Sequence, residues 1–292
     1  MFLIRDDDPN ATTDPQRLER TYAPLLDAGI KVAFSVIPQV ALDTRDSAGH
    51  RERFIDPTRP DEATFARMSP ATPLSRWLRA HSGEVDVLAH GLSHRRLRGG
   101  TELGALDAGE ADRLLVQSRD ILHAALGRAP AGFVAPWDAL SRGALVAATR
   151  RFSLVSTGWV DVRRLPFTAW PAHVHERLAR REALRVGDAW VVRHRGGRFD
   201  AQSAPESVPS VLDELARGAP VAVIVLHHWM FWDLPAPHPV VKALAEALRG
   251  RCVGGVSDVV GHLDAVVPAV VPWLPLGAAG ATSWSRSGVR RM

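Results

Sequence analysis

The feature that most constrains this chain is a recurring unit: a short apolar run that stops abruptly in residues able to do chemistry. Phe2 to Ile4 runs into Asp6, Asp7 and Asp8 and is ended by Pro9 and Asn10. Val85 to Ala89 ends in His90-Gly91-Leu92-Ser93-His94, and Gly132 to Val134 ends in Ala135-Pro136-Trp137-Asp138. Phe152 to Ser156 leads to Trp159 and Asp161, and Val221 to Leu226 leads to His227, His228 and Trp229. Helical patterns separate these runs. Alternating strands and helices argue for an α/β protein with a parallel sheet or barrel, in which the carboxyl ends of the strands gather on one face.

The helices are marked by their termini. Asp14-Pro15 starts one with Leu18, Tyr22, Leu25 and Leu26 at helical spacing. Others are expected over 73–81, from the Asp107/Glu110 capping pair to Leu126, from Ser141 to about Arg150, over 207–216 and over 239–248. Further strands are expected at 31–37 and 189–194, with a last short strand within 253–260. Residues 41–70 are polar and rich in Arg, Asp and Pro, which predicts a long loop or insertion over the top of the domain.

No composition break marks a second domain, so residues 1–264 are expected to form one domain, followed by a Pro/Gly-rich tail over 265–292. The uncharged stretch from Ala265 to Ala281 approaches the length of a membrane span, but Pro268, Pro272 and Pro275 interrupt it. It is expected to be a packed or surface segment rather than a transmembrane helix. The N-terminus lacks a basic region followed by a long apolar run, so no signal peptide is expected. The single cysteine, Cys252, excludes an intramolecular disulfide and a thiolate zinc site, and fits a cytoplasmic location. Net charge is +4 and nearly all cations are Arg, dispersed along the chain. A nucleic-acid binder concentrates them on one face, so no specific nucleic-acid partner is expected.

Three adjacent carboxylates repel one another, which a cation or a proton would offset; the other reading is a solvated turn after the strand. His90 and His94 are four apart, a spacing that on a helical turn puts both imidazoles on one side. With one Asp they would give two nitrogens and one oxygen to a metal, leaving open positions. One of His227 and His228 could act as general acid or base. His173 and His175 offer a weaker second pair. The other histidines, His194 among them, carry no site signal. Trp137, Trp159, Trp229, Phe231 and Trp232 read as core by default, and at strand ends some could instead form an aromatic platform for a sugar ring or acyl group.

These residues together resemble the polysaccharide deacetylase (NodB-homology, carbohydrate esterase family 4-like) superfamily, in a divergent branch. Ile4-Arg5-Asp6-Asp7-Asp8-Pro9 stands in place of the T-F-D-D-G-P motif, and His90 to His94 matches the H-S/T-x-x-H motif in its histidines. Val134-Ala135-Pro136-Trp137 keeps the Pro and aromatic of R-x-P-Y/W without its Arg, for which Arg5 is a candidate substitute. Trp159 and Asp161 are nearest to the fourth motif, and Leu226-His227 matches the fifth, with His228 in reserve.

The resemblance implies a distorted parallel (β/α) barrel with fewer than eight regular units. It implies removal of an N-acetyl group from an amino sugar in a glycan, glycolipid or sugar conjugate. Asp6 would be the catalytic base and His227 the catalytic acid. Asp7, His90 and His94 would hold a divalent metal, Zn²⁺ first, with Co²⁺, Ni²⁺ or Fe²⁺ as alternatives. Pro136, Trp137, Trp159, His228 and Trp229 would contact substrate. The alternatives are a metal-dependent hydrolase of a linear or cyclic non-sugar amide, an inactive carbohydrate-binding barrel, and a glycosidase without a metal.

Overall fold

The computed structural model describes residues 1–46, 48–97, 100–158, 183–194 and 197–267. Its strands are β1 (Phe2–Asp7), β2 (Val32–Val36), β3 (Gln39–Ala41), β4 (Phe65–Arg67), β5 (Val85–His90), β6 (Gly132–Val134), β7 (Leu154–Thr157), β8 (Ala183–Val186), β9 (Ala189–Arg193) and β10 (Ala222–Leu226). Its helices are α1 (Pro15–Asp27), α2 (Pro73–Ala80), α3 (Ala108–Leu126), α4 (Arg142–Arg151), α5 (Val208–Ala216), α6 (Pro239–Leu248) and α7 (Val256–Val266).

The main sheet runs β10-β1-β2-β5-β6-β7-β9-β8. Every pairing in it is parallel except β8 with β9. This is the expected distorted, incomplete (β/α) barrel; among the described residues β8 and β10 form no ladder that closes it. Strand side chains alternate between faces with a period of two, and here the alternation sorts the core into two parts. Phe2, Ile4, Phe34, Val87, Phe133, Val155, Val191, Ile224 and Leu226 pack outward with the helices. Leu3, Ala33, Leu88, Val134, Leu154, Trp190, Val192, Val223 and Val225 pack inward on one another.

The predicted helix starts hold. Asp14 accepts from Gln16 N at 3.0 Å, and Asp107 and Glu110 form a reciprocal capping box. The expected strand within 253–260 is instead a helix. Only Val253 bridges to Phe2, and α7 follows from Val256. The run of β-branched residues suggested a strand, but Val256, Val259, Leu263 and Val267 recur at helical spacing and pack into the inner core. The Gly255 N-cap has no side chain to offer, and Asp86 Oδ2 from the start of β5 accepts from Val256 N at 2.7 Å in its place. α7 closes the amino end of the barrel and runs two residues beyond 264.

The expected loop over 41–70 is more ordered than its polarity suggests. β3 and β4 pair antiparallel at its base, and its Leu42, Phe54 and Ile55 form a small separate core with Ile37 and Val40, which precede it. The antiparallel edge strand β8 falls in a stretch the sequence left undefined. Trp159, Asp161, His173 and His175 lie outside the described residues, as does the tail from 268 onward. Among the described residues, no helix is long and apolar enough to cross a membrane.

Candidate metal centre

The same alternation assigns the acidic tip. Leu3, Arg5 and Asp7 face inward; Phe2, Ile4 and Asp6 face the helices. Asp6 is fully buried, accepting from the Tyr22 hydroxyl at 2.7 Å, from His228 N at 2.7 Å and from His228 Nδ1 at 2.9 Å. Burial pushes its carboxyl above the usual range, against the opposing effects of His228 and Tyr22. It does not line the cavity at the strand ends. Tyr22, held on α1, is the only tyrosine in the chain.

Asp7 points into the barrel. Arg5 Nη2 donates to its Oδ2 at 2.8 Å, and the Ser35 hydroxyl donates to its Oδ1. Arg5 is itself 1% exposed and anchored by its Nη1 on Ser156 Oγ at 2.7 Å. Beyond the end of β1 the backbone turns left-handed at Asp8, with φ 78°. That conformation, rare for a residue with a Cβ, swings the third carboxylate toward the histidines.

Asp8 Oδ1 lies 3.2 Å from His90 Nε2 and 3.3 Å from His94 Nε2. Asp8, His90 and His94 are all buried and form the one group among the described residues with a metal-compatible set of donors. The geometry therefore puts Asp8, not Asp7, beside the two imidazoles. The donor set fits a borderline divalent ion. Ligand atoms about 2.0–2.2 Å from zinc at tetrahedral or octahedral angles stand roughly 3.0–3.5 Å apart. Outer contacts fix the ligands: His90 Nδ1 donates to the Val134 carbonyl at 3.2 Å, and Trp229 Nε1 donates to Asp8 Oδ2 at 3.0 Å.

The protonation states of Asp8 and His94 also suit a metal. Burial raises the Asp8 carboxyl, but the hydrogen bond from His90 and the charges of His94, His90 and His227 outweigh it and hold it well below the carboxylate range. Burial pushes His94 down to about 3, so it is a neutral donor at pH 7. Burial also pulls His90 down, but its bond to Asp8 and the charges of Asp7 and Asp8 lift it above its ordinary value.

The loop that carries His94 is pinned from below. Glu102 accepts from Leu92 N at 2.9 Å, Ser93 N at 2.7 Å and Ser93 Oγ at 2.5 Å. Gly91 has φ 63°, and a Cβ there would lie 2.3 Å from Glu102 Oε2 and 2.5 Å from Pro136 Cγ. That crowding accounts for glycine after the first histidine. Pro136 is buried behind this turn and is not part of the cavity lining.

Around the three ligand candidates is a cavity of about 370 Å³, a size suited to a small ligand. Arg5, Asp7, Trp137, Asp138, His194, His227 and Trp229 line it, with Glu52 and Phe54 from the insertion. His227 faces inward, its Nε2 3.9 Å from Asp8 Oδ2, whereas His228 faces outward to Asp6. Trp137 packs on the His94 ring at a centroid distance of 3.9 Å. Asp8, His94, Trp137 and Asp138 are the non-glycine residues with positive φ among those described, and all four line this cavity. Such conformations cost about 1–3 kcal/mol each and gather where a site is held in shape.

Sequence reasoning passed over Ser35, Glu52, Glu102, Asp138 and His194. Strand parity carries a signal for two of them: Ser35 shares parity with Ala33, and His194 with Trp190 and Val192, all inward-facing.

No known family model and no curated protein matches the sequence. Solved structures do match. A protein from Mycobacterium smegmatis assigned as a polysaccharide deacetylase is 15% identical, with 92% of each chain covered and a TM-score of 0.53. The carbohydrate esterase family 4 domain of a xylanase from the hindgut metagenome of Trinervitermes trinervoides is 10% identical, over 92% of this chain and 93% of that one, at a TM-score of 0.49. A family 4 carbohydrate esterase from Streptomyces lividans, solved with acetate, is 11% identical, over 87% and 91%, at 0.46. The likeness is one of fold: the chain has the polysaccharide deacetylase fold in a divergent form.

Proposed function

We propose that this protein is a metal-dependent hydrolase that removes an acetyl group from the amine of an amino sugar. One observation carries the reading: three buried donors, Asp8, His90 and His94, converge beside an arginine-clamped carboxylate, Asp7, in one cavity. On this reading the base and ligand roles sit one residue later than the motif comparison implied, with Asp7 as base and Asp8 as ligand. Asp6 belongs to the packing against α1.

Asp8, His90 and His94 would hold a divalent cation, which would supply Lewis acidity for lowering the pKa of water and polarising a carbonyl oxygen. Asp7 takes the proton from the attacking water at its carboxylate. Arg5 and Ser35 fix that carboxylate so that no reorientation is needed as the bond forms. Arg5 reaches Asp7 from two residues earlier on the same strand, which supports it as the stand-in for the arginine absent before Pro136. His227, facing inward at the end of β10, gives a proton to the departing amine, a poor leaving group as an anion. Trp137 and Trp229 wall the cavity, and the Trp229 N–H is committed to Asp8 rather than to substrate.

The test is acetate release from a panel of N-acetyl sugars and simple acetamides, with metal analysis of the purified protein. Acetate release that chelation abolishes and Zn²⁺ or Co²⁺ restores supports the reading. Turnover untouched by prolonged chelation, or release from acetamides but no sugar, overturns the metal or the sugar assignment respectively.

A further inference from the structure

Asp138 and His194 line the cavity but have no part in the roles assigned above. Two strand ends bring them together, Asp138 after β6 and His194 after β9. His194 Nε2 donates to Asp138 Oδ2 at 3.0 Å. Asp138 Oδ1 is buried without a hydrogen-bond partner, 3.8 Å from Arg5 Nη2. The same Arg5 nitrogen donates to Asp7 at 2.8 Å. Four side chains from three strand ends thus stand in a line, His194, Asp138, Arg5 and Asp7.

The local backbone is shaped to make this line. Trp137 and Asp138 adopt consecutive left-handed conformations, φ 50° and 55°. Gly158, after β7, leaves the necessary room: a Cβ there would lie 2.6 Å from Asp138 Oδ2 and 3.0 Å from His194 Nε2. A carboxylate that merely filled space would need neither feature. Arg5, almost fully buried, must balance its charge between the carboxylates in reach, and Asp138 supplies the second.

Resting on the hydrolase reading, we infer that Asp138 and His194 are positioning residues: His194 holds Asp138, and Asp138 holds the Arg5 guanidinium in the place from which it orients Asp7. Neither touches the reacting atoms. Their effect reaches the chemistry only through Arg5.

The test uses the full-length, metal-loaded protein. Asp138→Asn and His194→Leu should each lower kcat by about 10–100-fold with KM and metal stoichiometry unchanged. His194→Gln keeps an N–H donor for Asp138 and should recover most of that loss. Wild-type kcat in His194→Leu, or equal losses in the Gln and Leu variants, overturns the inference. A second readout does not depend on turnover. In ¹⁵N spectra the Arg5 guanidinium, identified by its absence in Arg5→Lys, should give resolved Nη signals in wild type and His194→Gln. Those signals should merge through rotation in His194→Leu and Asp138→Asn. Unchanged signals in both overturn the positioning role. A wild-type protein that turns over no N-acetyl substrate but shows the signal change fails the hydrolase reading alone.

Discussion

Asp6 and Asp7 are neighbours in the chain and lie on opposite faces of the sheet. Asp6 is bound by Tyr22 and His228 on the helix side, and Asp7 by Arg5 and Ser35 inside the barrel. Asp8, beyond the strand end, belongs to neither face and meets the two imidazoles. Three like residues in a row therefore have three distinct environments, and substitutions should separate them.

Asp7→Asn should keep full metal stoichiometry and lose about 100-fold or more in kcat, the scale of a removed general base. Asp8→Ala should lose the metal. Asp6→Asn should keep both metal and most activity but destabilise the fold by about 1–3 kcal/mol, because buried donors lose a charged acceptor. Metal analysis, steady-state kinetics and denaturant melts on the three variants decide this. Metal loss in Asp7→Asn with retention in Asp8→Ala would restore the assignment that the motif comparison implied.

Metal affinity should depend on pH through His90. Its pKa in the metal-free protein is raised above the ordinary value by Asp8 and Asp7, so a metal must displace a proton once pH falls below that value. His94, pushed down to about 3, is already neutral. Apparent affinity should fall by about tenfold per pH unit on the acid side, the slope of a single displaced proton. Competition titrations between pH 5 and 8 measure it; a flat profile contradicts the prediction.

Glu52 gives the metal-free fold a pH dependence of its own. Burial, aided by the charge of Asp8, raises its carboxyl to about 7. The folded state then holds this proton more tightly than the unfolded chain does. The stabilisation is complete below the ordinary Glu pKa and is lost as pH rises toward 7. Glu52→Gln should remove that loss and be more stable than wild type at pH 8, by about 1 kcal/mol once partial exposure is allowed for. Melting curves at pH 4.5 and 8 read the difference, and a wild-type-like pH slope in the variant would refute it.

Gly91→Ala should be costly where Gly29→Ala is mild. Both glycines have positive φ, 63° and 71°, but only at Gly91 would a Cβ meet other atoms, Glu102 and Pro136. Strain alone costs about 1–2 kcal/mol, which is the expectation for Gly29→Ala. Displacing the Glu102 bonds to Leu92 and Ser93 should roughly double that loss at Gly91 and weaken metal binding through His94. Equal melting temperatures for the two variants would show that the turn yields.

Much of this architecture was legible in the residues. Apolar runs ending in Asp, His and Trp located the strand ends, and Asp14-Pro15 and the Asp107/Glu110 pair located two helix starts. His90 and His94 were recognisable by spacing and by position after β5. The register of the acidic tip was harder. The motif comparison aligns letters, whereas the pleat decides which face each letter takes, and a shift of one residue exchanges the faces. Asp138 stood at a strand end and His194 shared the parity of inward-facing Trp190 and Val192, but nothing local linked the two. They meet only because β6, β7 and β9 are neighbours in the sheet, a relationship between residues 56 positions apart. The helix α7 was hidden by its valines, whose helical spacing outweighs their preference for strands.

The excursion between β3 and β4 leaves and rejoins the barrel at adjacent points, since Gln39 pairs with Arg67 and Ala41 with Phe65. It carries its own apolar centre around Phe54 and Ile55 and rests on the barrel through Asn10, Thr12 and Trp229. It also contributes Glu52 and Phe54 to the cavity wall without supplying any of the three metal donors. Structurally it is a cassette. A lineage, or an engineer, can lengthen, shorten or exchange it between two neighbouring anchor points. A change in it would reshape the cavity wall and, through Phe54, whose ring packs edge-on to His94, would also reach the metal centre.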